Sequence, residues 1–140
     1  MAIGEQQQGV YTKSLMAFED AYNKDPADLS SRAILLPFNS NALTASQNST
    51  APGTITGRRD PVEPIYGNID VAGQVVVPVD ATSFGWWLTA AFGEPTTEDG
   101  TVEGTYKHVF KPSKRQPSLI MEKAFPDIGV YTKYNGCKVS

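Results

Sequence analysis

The chain has 140 residues and a formal net charge of −3, which suits one domain (1–140) able to bury roughly two-thirds of its unfolded surface. Charged residues make up 19%, fewer than the ~25% usual in soluble domains, and the acidic balance excludes nucleic-acid binding through a basic face. The single cysteine, Cys137, excludes an internal disulfide and a cysteine-built metal site, and it points to assembly in a cytoplasm.

Residues 1–8 read as a polar arm, since "MAIGEQQQGV" has neither the basic start nor the apolar core of a signal peptide. No apolar run approaches the ~20 residues that span a bilayer. Residues 9–22, "GVYTKSLMAFEDAY", carry two periods. Leu15, Phe18 and Tyr22 lie at helical spacing; Val10, Thr12, Ser14 and Met16 lie on alternate strand positions. A short strand followed by a turn is the preferred reading. "NKDPADLSS" reads as a loop, and "RAILLPF" as a strand that Pro37 ends early or keeps at a sheet edge.

Residues 39–66 are rich in Ser, Thr, Asn, Pro and Gly. They are too long for an ordinary connection and read as a connector loop or protruding hairpin, a binding loop, or a mobile segment, with compositional disorder as the alternative that Leu43, Ile55 and Ile65 weigh against. Two short strands are expected in them, Ala42 to Gln47 and Gly53 to Arg58.

The most ordered stretch is "GNIDVAGQVVVPVDATSFGWWLTAAFG", residues 67–93. Ile69, Val71, Val75 and Val77 share one face of a long strand and are expected in the core, with Gly73 as a candidate bulge. Asp80 or Ser83 then caps a helix. Phe84, Trp87, Leu88 and Ala91 form its apolar stripe, and Gly93 with Pro95 ends it. Phe84, Trp87 and Leu88 join the expected core. Trp86 lies about 100° round the helix from Trp87, which leaves two uses for it: packing over a sheet margin, or anchoring a subunit contact. "EPTTEDGTVEGT" reads as a turn or flexible loop. Three strands follow, around Tyr106–Phe110, Leu119–Glu122 and Ile128–Tyr134. The total is about six strands and one helix: a mainly β fold, either a sandwich or an open barrel with a flanking helix. The pentapeptide "GVYTK" occurs at 9–13 and 129–133 with unmatched flanks, so no duplicated unit is inferred.

Catalytic chemistry finds little support. His108 is the only histidine and sits in an alternating strand, so a Ser-His-acid triad has no other base to use. Asp60, Glu63 and Asp70 are the nearest carboxylates, too few and too irregularly spaced for a cation site. Lys111, Lys114 and Arg115 read as a solvated turn around Pro112, and Cys137 as a small buried apolar residue. No cofactor, no metal and no enzymatic activity are expected.

The ordered set "LPFNSNAL", "TITGRRDPVEPIYGNIDVAGQVVVPVDATSFGWWLTAAFG", "YKHVFKP" and "PSLIMEKAFPDIGVYTKYNGCKV" resembles the tail tube proteins of long-tailed bacteriophages and their prophage relatives, from about Ile34 onward. The resemblance implies a β-sandwich or barrel with a flanking helix, and hexameric rings stacked into a hollow virion tail tube for genome delivery. The implied partners are further copies of the chain, the tape-measure protein, and double-stranded DNA passing without sequence-specific binding; no membrane is involved. The expected location is the virion tail, assembled in the host cytoplasm. Proteins that look like this generally continue past "GCKV", whereas Ser140 is the last residue here. Either a truncated chain or a short family form follows, and truncation would leave Lys133–Ser140 as an adhesive edge. Subunit-contact candidates are Asn48, Thr54, Arg58, Arg59, Asp60, Tyr66 and Trp86. The alternatives are another tail-ring or tail-completion component, or a monomeric glycan-binding β domain with Trp86 and Tyr66 as stacking platforms.

Overall fold

The computed structural model describes residues 9–53, 57 and 63–140. A 3-10 turn at Gly9–Tyr11 leads into β1 (Lys13–Phe18), the short helix α1 (Leu29–Arg32), β2 (Ile34–Leu36), β3 (Ser40–Asn41) and β4 (Thr44–Thr50). Then come β5 (Ile65–Ala72), β6 (Val75–Val76), the main helix α2 (Phe84–Phe92), β7 (Thr96–Asp99), β8 (Tyr106–Val109), β9 (Leu119–Phe125) and β10 (Val130–Cys137). The fold is mainly β, and none of its sheets closes into a barrel; of the two expected architectures it is sandwich-like. Among the described residues the ten strands exceed the expected six because several are short and polar.

The body is a four-stranded antiparallel sheet in the order β10-β9-β1-β2. Its register places Met16 opposite Met121 and Ile34, and Met121 opposite Tyr134. Paired residues share a face, so this row forms one apolar layer. α2 lies over it: Met16, Leu36, Ala90, Leu119 and Met121 make the buried cluster, with Phe18, Leu43, Trp87, Cys137 and Val139 packed around them. On the opposite face the small side chains of Ala17 and Ala124 are also buried. The segment from Glu19 to Pro26 is tied to that side. Glu19 Oε1 accepts from the Gly136 N–H at 2.8 Å, Asp25 pairs with Lys133, and Lys138 sits 5.6 Å from the Tyr22 ring centre. The Lys133 and Asn135 contacts hold the Asp25 carboxyl below its ordinary range.

β2 is an edge strand that stops before Pro37; a residue without an N–H cannot extend a ladder. Helix α2 starts where Asp80 turns back on the chain. Asp80 Oδ1 accepts from the N–H groups of Thr82 at 2.7 Å and Ser83 at 2.6 Å. Gly93, at φ 96°, ends the helix and donates its N–H to the Thr89 carbonyl at 2.8 Å. That conformation favours a residue without Cβ.

Four expectations are corrected. The "NKDPADLSS" loop contains the start of α1, whose Arg32 binds Asp20 at 2.6 Å and Asp28 at 2.8 Å. The "EPTTEDGTVEGT" loop contains β7, which pairs with β8 from Thr96 opposite Val109 to Asp99 opposite Tyr106. The long strand over residues 67–79 is two strands with different partners. β5 pairs with β4, while β6 pairs with β3. The break is at Gly73, where a Cβ would stand 2.4 Å from the Ala42 carbonyl oxygen. The expected core also moves. Ile69 is 64% exposed and Val71 39%, because the hairpin carrying them has no layer over it in the single chain. Val75, Val77, Phe84, Trp87 and Leu88 are half-buried, and the buried centre belongs to β1, β9 and Ala90 instead. "GVYTK" takes two conformations, a 3-10 turn entering β1 at its first occurrence and mostly strand β10 at its second.

Candidate functional site

Strand β4, "TASQNST", and strand β5, "IYGNIDVA", form a two-stranded antiparallel ribbon in which every residue is exposed. Such a ribbon is marginal by itself in water. Its register runs from Thr44 opposite Ala72 to Gln47 opposite Ile69, then resumes with Ser49 opposite Tyr66. Two residues of β5, Gly67 and Asn68, therefore face the single residue Asn48, which is a bulge. Gly67 suits the tight side of it: an added Cβ would lie 3.3 Å from the Asn48 carbonyl oxygen. Gln47 Nε2 secures the bulge by donating to the Gly67 carbonyl at 2.8 Å.

The bulge has a consequence for chemistry. Without it, Tyr66 would point away from Ile69 and Val71. With it, Tyr66, Ile69 and Val71 share one face, beside their partners Ser49, Gln47 and Ala45. The β5 half of that face is apolar and aromatic, the β4 half adds Gln47 and Ser49 beside Ala45, and the face carries no charge. Tyr66 is 62% exposed, so the stripe is open to solvent in the single chain.

A groove of about 880 Å³ lies among the end of β1, helix α2 and the β7–β8 hairpin. Phe18, Trp86, Pro95, Phe110 and Pro117 supply its apolar lining. Trp86 rests on Phe18, with ring centres 6.2 Å apart and planes tilted by 42°, a geometry favoured by aromatic quadrupoles. It nevertheless keeps 42% of its surface exposed. His108 also lines the groove, and its Nδ1 lies 2.9 Å from Thr97 Oγ1. Arg32, on the rim, has both carboxylate partners described above, which raise its pKa.

Of the contact candidates, Asn48 and Tyr66 lie on the ribbon, on opposite faces, and Trp86 lies at the groove. Thr54, Arg58, Arg59 and Asp60 lie outside the described residues, as does most of the expected strand Gly53–Arg58. Glu63 and Asp70 are exposed, and among the described residues no three His, Cys, Asp or Glu side chains gather as metal ligands. Cys137 is half-buried; burial, with Glu19 adding, pushes its thiol pKa up and so disfavours the thiolate. Lys111, Lys114 and Arg115 are exposed. Sequence reasoning missed Phe18 as a floor for Trp86, and Ile69 and Val71 as surface. For the latter pair the usable signal was Gly67, a glycine inside a strand pattern three residues after Pro64.

No helix of the described residues is long and apolar enough to cross a membrane. A family model described as phage tail tube protein matches residues 12–140, starting before the resemblance noted from about Ile34. A comparison with curated proteins finds no match. The family is a structural one, made of components of the virion tail. With the match covering all but the first residues, this chain belongs to the phage tail tube protein family.

Proposed function

We propose that this chain is the major tail tube subunit, a single domain that self-assembles into stacked hexameric rings enclosing a conduit for the genome. The observation that carries the reading is the stripe of Tyr66, Ile69 and Val71, which alternates as a buried face does yet is exposed in the single chain. Contiguous exposed apolar surface of this kind marks an interaction site. Residues 39–66 act as the connector between copies. The outer strands of the main sheet, β2 and β10, supply two different edges, which is what head-to-tail closure of a ring uses. The tape-measure protein occupies the lumen first and double-stranded DNA later. A net charge of −3 suits DNA passage without sequence-specific binding, since a wall rich in cations would retain phosphate. The subunit works in the virion tail, is assembled in the host cytoplasm, and performs no catalysis.

Negative-stain electron microscopy of the concentrated, purified protein, paired with size-exclusion chromatography and light scattering, tests this. Rings of six subunits and tubes built from them are the expected result. A strict monomer at high concentration, with no rings or tubes in any field, would overturn it.

A further inference from the structure

We propose that the Asn135-Gly136 pair is a modification site, at which the asparagine amide is lost to give aspartate or isoaspartate, and that the strap of residues 19–25 holds this reaction in check and is released by it. The proposal does not depend on the tube reading above. The pair is set by the backbone. Strand β10 shifts register between Tyr134 and Cys137, and Gly136 sits in that irregularity at φ 67°, a conformation that favours glycine. It makes the one Asn-Gly pair in the sequence.

The chemistry follows from that glycine. The backbone nitrogen after an asparagine can attack the side-chain Cγ, and a residue without Cβ leaves the approach unhindered. The bond from Gly136 N to Asn135 Cγ forms, the Cγ–Nδ2 bond breaks, and the Gly136 amide proton leaves with Nδ2 as ammonia. Water then opens the cyclic imide at either carbonyl, which gives aspartate or isoaspartate. Nothing is oxidised or reduced.

Both reacting groups are held, each by a different carboxylate of the strap. Glu19 Oε1 accepts from the Gly136 N–H at 2.8 Å, and its Oε2 accepts from the Asn23 N–H at 2.9 Å, so one side chain ties the turn of the strap to the nucleophile. Asp25 Oδ1 accepts from Asn135 Nδ2 at 2.7 Å, while its other oxygen binds Lys133. The Tyr22 ring lies against Gly136, where an added Cβ would stand 3.2 Å from it. These contacts oppose cyclisation in two ways. Asp25 fixes the side chain that has to reach a near-attack geometry. Glu19 stabilises the N–H in its protonated form and sets a negative charge where the attacking amide would develop another.

The product reverses the contact. Aspartate at this position offers Asp25 a second carboxylate in place of a donor, and like charges at hydrogen-bond distance repel. Isoaspartate adds a methylene to the main chain of β10 and displaces the Gly136 N–H from Glu19. Because ammonia departs, release of the strap is one-way.

Peptide mass spectrometry after prolonged incubation near neutral pH tests this, with conversion at the exposed Asn48 as an internal reference. Folded wild-type protein should convert Asn135 about tenfold or more slowly than the same protein in urea, the factor that one hydrogen bond to a charged group supplies. Glu19→Ala and Asp25→Ala should each recover much of that factor, while conversion at Asn48 keeps its wild-type rate. Wild-type protein aged to full conversion, and Asn135→Asp, should both show faster hydrogen exchange at the Gly136 amide and faster tryptic cleavage after Lys24. Equal rates at Asn135 in folded and unfolded wild-type protein would overturn the proposal, as would folded strap variants that convert no faster than wild type. If the aged protein and Asn135→Asp keep wild-type exchange at Gly136, the modification does not release the strap and the proposal falls. Should Glu19→Ala fail to fold by circular dichroism, Asp25→Ala and the wild-type comparison still decide.

Discussion

Strands β9 and β5 look alike on paper and end in opposite surroundings. Each carries apolar residues at alternate positions on one face, Leu119 and Met121 in β9 and Ile69 and Val71 in β5. β9 lies between β10 and β1 with α2 across one face, so Leu119 and Met121 are 2% and 3% exposed. β5 has β4 alone for a neighbour, and Ile69 is 64% exposed. A period of two states that one face prefers to leave water. It is silent about which surface takes that face, or whether the surface belongs to the same chain. In the body the covering layer is α2 of the same molecule; for the ribbon no layer of the same chain covers it, and the proposed function assigns that role to another copy.

The largest expected effect comes from the covered region. Met16 is 0% exposed at the centre of the cluster, so Met16→Ala should cost about 2–5 kcal/mol in urea unfolding, through lost transfer energy and a residual cavity. A loss below ~1 kcal/mol would mean that the body is loosely packed and that the contrast with the ribbon is overstated. The junction between the regions comes next. Gly73→Ala places a Cβ against the Ala42 carbonyl, which is backbone and cannot rotate away. About 1–3 kcal/mol of destabilisation is expected, with hydrogen exchange accelerated in β4 and β5 more than in β9. Uniform acceleration would show that the two regions open as one unit. Third is the ribbon itself. Ile69→Asp should change the unfolding free energy of the monomer by no more than ~0.5 kcal/mol, as exposed sites do, while sharply impairing assembly. A large stability loss in the monomer would place Ile69 under cover within its own chain and remove the contrast.

Much of the body was legible in the sequence because its signals are local. The Asp80 turn and Gly93 lie within fourteen residues and bound α2 as expected, although its buried residue is Ala90 rather than one of the expected stripe. In β1 the sequence carries two competing periods; the strand reading is the right one, and Ser14 and Met16, alternate positions in it, are both buried. β7 was invisible for a physical reason: "TTED" has no apolar residue, and its pairing with β8 is the only thing that makes it a strand. The split of residues 67–79 was hidden in the same way. Val75 and Val77 continue the pattern of Ile69 and Val71 past Gly73, and only the exchange of partner from β4 to β3 divides the run. On the surface, Tyr66 and Trp86 stood out as large aromatics at candidate contact positions, but the bulge that aligns Tyr66 with Ile69 is a property of the pairing with Asn48. A single strand's sequence carries its own period, whereas register and cover are set by the neighbours.

The smallest expected effect sits between the two regions, at the carboxylate that starts α2. Asp80 binds the Ser83 hydroxyl and the N–H groups of Ser83 and Thr82, and these bonds hold its pKa below the ordinary 3.8. The direction fixes the pH dependence. A carboxyl that is more acidic when folded contributes stability above its unfolded pKa, and that contribution disappears as pH falls through the folded value. Asp80→Ala should therefore lower the melting temperature near pH 7, and the gap from wild type should narrow as the pH is taken well below 3.8. Asp80→Asn, which keeps one acceptor oxygen, should fall between the two. Thermal unfolding followed by circular dichroism across that range measures the gap. Since α2 covers the main sheet and touches nothing in β4 or β5 that is buried, the loss should appear as earlier melting of the body, with tube formation at low temperature unchanged. A gap independent of pH would mean that Asp80 acts through its shape rather than its charge. Impaired tubes from a folded Asp80→Ala protein would mean instead that the position of α2, and with it Trp86 at the groove, is tuned by this one cap.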